Sequence, residues 1–192
     1  MISENLMFKP REIDDLKSIV NKKIICIKSE EPSPYHTIFG EVQLVLPDQK
    51  LTVIADYIPI NYFGEQEETA VLTIGQPYSS KYSYEKSLNE TVKDIKISTD
   101  LIVNYDSKEP VYSVNYPHSL IFELETCSLV LSKADKFMEL MYMNLYPIGQ
   151  EELTSIEEVT NWWYDPLEDE ADGLPAPLPP VITRSTFSIK DL

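Results

Sequence analysis

The chain has 192 residues, 43% of them hydrophobic, enough for one core domain plus an extension. It carries 32 acidic side chains against 16 basic ones, a formal net charge of −16. A surface of that sign repels phosphate backbones and anionic lipid, which argues against direct nucleic-acid binding and against membrane association.

Residues 10–21 read as a helix. Pro10 suits the first helical position, Glu12, Asp14 and Asp15 suit the positive end of the helix dipole, and Lys22 and Lys23 suit the other end. Ile13, Leu16, Ile19 and Val20 form a single apolar stripe. Residues 23–29 read as a strand with Cys26 as a small buried hydrophobe. Residues 38–46 and 50–56 flank a Pro47-Asp48-Gln49 turn and predict a hairpin with one buried face. Glu65, Glu67 and Glu68 read as a solvated turn, 69–75 as a short buried strand and 76–89 as a loop. Strands are expected at 91–97, 100–105 and 111–115, and a hairpin from 119–125 and 128–132 around Thr126-Cys127. Residues 137–146 fit strand and helix equally well.

The two hairpins resemble each other. QLVLPDQKLTVIAD ends in Ala55-Asp56, FELETCSLVLSKAD ends in Ala134-Asp135, and a one-residue gap superimposes them. Related half-domains would produce this likeness, and so would two ordinary hairpins with similar turns.

The C-terminal stretch has its own character. Residues 151–164 read as a short acidic helix with Leu153, Ile156, Val159 and Trp163 at helical spacing. Asp165 to Asp172 hold five acids in eight residues, and 174–180 (LPAPLPP) is extended by necessity, a spacer in character. Val181, Thr183, Ser185, Phe187 and Ile189 then alternate with Arg184, Thr186, Ser188 and Lys190, Ile182 being the exception, the pattern of a half-buried edge strand. The expectation is an α+β, mostly antiparallel β fold. A helix-plus-β core domain would span 1–149, and an acidic, Pro-rich extension would span 150–192.

Met1 to Asp15 lack the basic stretch and long apolar core of a secretion signal, so a cytoplasmic protein is expected. Cys26 and Cys127 share no close-spaced motif and are expected as reduced thiols. Nucleotide-binding, nucleophile-elbow, zincin and EF-hand signatures are all missing from the sequence. His36 and His118 both fall in expected loops. Gly173 follows the acidic run instead of lying inside it, unlike a calcium loop. The expectation is therefore no enzyme, no cofactor and no metal.

The most suggestive constellation is Trp162-Trp163-Tyr164, set beside Glu157 and Glu158 on one side and Asp165, Glu168, Asp169, Glu170 and Asp172 on the other. Aromatic residues are enriched at interface hot spots, and flanking acids steer a basic partner. The tryptophans could equally anchor the tail to its own core. Both readings hold if one ring points inward and the other outward. The sequence thus points to a non-catalytic, acidic protein-binding protein that occludes a basic partner. Immunity proteins that neutralise nuclease toxins share this profile, a compositional analogy only. Two alternatives stay open. One is a structural subunit or scaffold of a phage or secretion assembly, self-associating through edge strands; the other is an enzyme with an unrecognised site.

Overall fold

Alternating apolar residues over most of the chain produce strands. The computed structural model describes them for residues 1–79, 81–106, 108–164 and 178–192. In chain order come β1 (Ile2–Asn5), α1 (Pro10–Ser18), β2 (Lys23–Ser29), β3 (Thr37–Phe39), β4 (Glu41–Val45), β5 (Lys50–Tyr62) and β6 (Glu65–Gly75). Then follow β7 (Tyr84–Thr91), β8 (Asp94–Asp106), β9 (Glu109–Glu123), β10 (Ser128–Lys133), β11 (Leu140–Tyr146), α2 (Ile156–Trp163) and β12 (Val181–Ser188). The fold is α+β and mostly antiparallel, with the first helix near the N-terminus. No helix among the described residues is long and apolar enough to cross a membrane.

The strands form two sheets with the same internal order. One runs β6-β5-β4-β2-β7 and the other β12-β8-β9-β10-β11-β3, with β1 added in parallel to β9. In each sheet four successive strands meander and the fifth returns to pair with the first. The two central hairpins also close alike, Leu46 N donating to Gln49 O at 2.9 Å and Leu124 N to Cys127 O at 2.8 Å. That register matches Glu41↔Ile54 with Ser119↔Ser132, so Ala55 corresponds to Lys133 with no gap. The Ala-Asp match in the sequence is thus one residue out of step with the backbone.

The facing sheets enclose one large core that includes Leu16, Ile24, Val53, Ile97, Phe122 and Leu131. Burying such side chains contributes roughly 1.5–3 kcal/mol each. A second core holds Ile60, Ile102, Tyr112, Val114, Tyr116, Val159 and Trp163, under the outer halves of the long β5–β6 and β8–β9 hairpins. Residues of 150–192 enter both cores: Ile189 the first, Val159 and Trp163 the second.

A β-bulge separates the two cores. Ser98 pairs with Ser119 and Thr99 with Pro117, which leaves His118 as the extra residue of β9. The inward face of β8 switches there, from Ile95 and Ile97 to Asp100 and Ile102. Because β12 runs in unbroken register with β8, it switches too. Ile182 and Arg184 face inward, while Val181, Thr183 and Ser185 are exposed. The alternation expected over 181–189 therefore holds only for Phe187 and Ile189, and Ile182, its exception, is on the inward side.

Other departures have local causes. Helix α1 ends at Ser18 instead of 21, and Asn21 takes a left-handed φ of 64°, turning the chain into β2. Residues 84–89, expected as loop, belong to β7 because β2 offers a free ladder to a polar strand. Glu65, Glu67 and Glu68 lie in β6, not in a turn; the turn is only Phe63-Gly64, both at positive φ. Residues 140–146 resolve to strand, and the expected pairs 91–97/100–105 and 111–115/119–125 are single long strands, β8 and β9. His118, expected in a loop, lies inside β9.

Candidate functional site

The predicted partner-binding residues begin on α2. Ser155 caps it, its Oγ accepting from Glu158 N at 3.1 Å, and Glu157 and Glu158 sit in the first turn, where the dipole favours them. Both glutamates are exposed, Trp162 and Tyr164 are half-buried, and Val159 and Trp163 are buried. Asp165, Glu168, Asp169, Glu170 and Asp172 lie outside the described residues.

Trp163 is 3% exposed, so its ring is not part of the accessible face. It packs 5.9 Å from the Tyr116 ring and 6.0 Å from the Tyr62 ring. The Lys136 ammonium lies 4.0 Å from the Tyr62 ring centroid, 4.2 Å from Phe137 and 4.3 Å from Trp163. This cation–π contact fastens α2 to the β10–β11 connection. Trp162 stacks on His118 at 6.1 Å with 29° between the planes. One tryptophan is thus an internal anchor, and the other lies at the boundary.

Beneath α2 is a layer of buried charge that the sequence pattern did not mark. Asp100 is fully buried and accepts from Arg184 Nε and Nη2, both at 2.7 Å. Arg184 Nη1 also donates to Thr154 O, just before the α2 cap. His118 Nδ1 lies 3.3 Å from Asp100 Oδ2, yet neither ring nitrogen makes a hydrogen bond, nor does the buried Tyr116 hydroxyl. Burial, then the Arg184 and Lys133 charges, hold His118 well below its usual range and therefore neutral. Lys133 is also buried, donating to Ala70 O and, at 3.4 Å, to Lys136 O. Loss of hydration lowers its ammonium to about 7.

Perturbed groups of this kind also mark catalytic sites. Four surface cavities are lined by residues other than Asp100, His118, Lys133 and Arg184. The layer's visible work is mechanical. Asp100 on β8 holds Arg184 on β12, and Arg184 holds the chain entering α2. Among the described residues, no three His, Cys, Asp or Glu side chains converge as a metal site, and both cysteines are free thiols.

One of those cavities adjoins the acidic helix. It is a groove of about 240 Å³ lined by Tyr35, Tyr142, Tyr146, Glu152 and Glu158, among others, and among the described residues no lysine or arginine lines it. The sequence reading passed over these tyrosines because they come from separate segments, 35 in one connection and 142 and 146 on β11. No protein-family model, curated protein or solved structure matches this chain.

Proposed function

We propose that the chain is a non-catalytic, acidic protein-binding protein of the inhibitor or immunity type. It would occlude a basic partner such as a nuclease toxin. The observation that carries this reading is the mounting of α2. Trp163, Val159 and the Arg184–Asp100 pair fix the helix from below, while Glu157 and Glu158 stay exposed on its outer side. A charged surface held rigid before encounter loses less entropy on binding, and its field steers the partner.

Affinity capture from native lysate at low and high salt, read by mass spectrometry, tests the proposal. Basic proteins retained at low salt and released at high salt are expected. A variant with Glu157, Glu158, Glu168, Asp169, Glu170 and Asp172 changed to their amides should capture them more weakly. Capture that is as strong for the amide variant as for the wild-type chain at low salt, and undiminished in high salt, would end the steering idea.

A second reading, a subunit of a larger assembly, draws support from the sheet ends. Strand β12 closes one sheet and β7 the other, and neither pairs on its far side among the described residues. Salt-independent self-association in sedimentation velocity would favour it.

A further inference from the structure

We propose that the tyrosine-lined groove beside α2 seats an arginine or lysine side chain of an extended partner segment. The inference rests on the basic-partner reading above and gives it a location.

Size argues first. The groove holds about 240 Å³, below the roughly 300–1,000 Å³ of metabolite pockets, and so suits a single side chain. Charge argues second. Glu158 and Glu152 stand on its rim, and their fields reach its walls. The Tyr142 phenol is pushed up by burial and then by Glu158 and Asp135; the Tyr146 phenol is pushed up by burial and then by Glu152. Among the described residues, no lysine or arginine lines the groove. Tyrosine faces beside carboxylates attract a cation by its charge and through the ring quadrupole together.

An alternating arginine–leucine hexapeptide, capped at both ends, is the probe, titrated by calorimetry into the full chain at about 10 mM ionic strength, where screening is weakest. Saturable one-to-one binding is expected, with shifts in two-dimensional NMR confined to residues around Tyr142, Tyr146 and His36. Replacing Glu152 and Glu158 together by glutamine should weaken it about fivefold or more, as for loss of two exposed pairs. Tyr142→Leu should weaken it comparably, and a glutamate–leucine hexapeptide should not bind. Should the glutamine variant bind undiminished while neutralising Glu168, Asp169, Glu170 and Asp172 abolishes binding, the groove is overturned and the basic-partner reading stands. If the wild-type chain does not bind the arginine peptide at all, the groove is overturned, and salt-dependent capture then decides the broader reading separately.

Discussion

Arg184 and Asp100 sit opposite each other in the β12–β8 register, joined by two hydrogen bonds of 2.7 Å, with Asp100 wholly out of water. A buried pair contributes little over well-packed apolar residues, but breaking it strands a charge. Arg184→Met should therefore lower the unfolding free energy by about 3–5 kcal/mol in urea denaturation. Asp100→Asn combined with Arg184→Met should recover part of that loss. A single-substitution effect under about 1 kcal/mol would mean that the pair is hydrated in solution.

Stability should rise with pH between 7 and 9. Lys133 loses its proton near pH 7 when folded but near 10.5 when unfolded, so across that window the unfolded chain binds more protons. Raising the pH removes that advantage and adds about 2 kcal/mol from pH 7 to 9. Above pH 9 the raised thiols of Cys26 and Cys127 act in the opposite sense, because they ionise first in the unfolded chain. Below 6.5 the lowered His118 continues the loss of stability, since the unfolded imidazole takes up a proton that the folded one refuses. Denaturation at a series of pH values should show this slope, and Lys133→Met should flatten it between 7 and 9.

The two tryptophans should separate in their effects. Trp163→Ala empties the second core and is expected to cost about 3–5 kcal/mol, seen as a large drop in melting temperature. Trp162→Ala removes a half-exposed ring and should cost about 1 kcal/mol. Equal losses would contradict the inward and boundary placements.

Glu41 holds the connection between β6 and β7. Its carboxylate is buried and accepts from Tyr78 N at 2.7 Å, Ser79 N at 2.9 Å and the Tyr82 hydroxyl at 2.9 Å. Glu41→Ala leaves these donors unsatisfied and should cost about 2–4 kcal/mol. Trypsin should then cut after Lys81 much faster than in the wild-type chain, an outcome read directly by mass spectrometry. An unchanged cleavage rate would show that the carboxylate does not order this segment.

Much of the framework follows from local pattern alone. The apolar stripe of α1, the two central hairpins with their turns, and the amphipathic α2 with Val159 and Trp163 inward can all be read in windows of a few residues, because helix and strand periods are local properties. The two hairpins occupy matching places in two sheets wound in the same order, although their Ala-Asp endings fall one residue out of step. The buried charged layer has no such signature. Lys133 ends an apolar run and Arg184 occupies an alternate position, so each reads as solvent-facing, the usual outcome for a charge without a partner. The partner of Arg184 lies 84 residues away and turns inward only because the bulge at His118 reverses the face of β8, and with it that of β12. The groove is non-local in the same way, since Tyr35, Tyr142 and Glu158 come from three segments that meet only when the sheets close. Local sequence determined which segments become strands and helices here; pairing between distant strands decided which side of each faces the core, because inward and outward are defined only once a neighbour is in place.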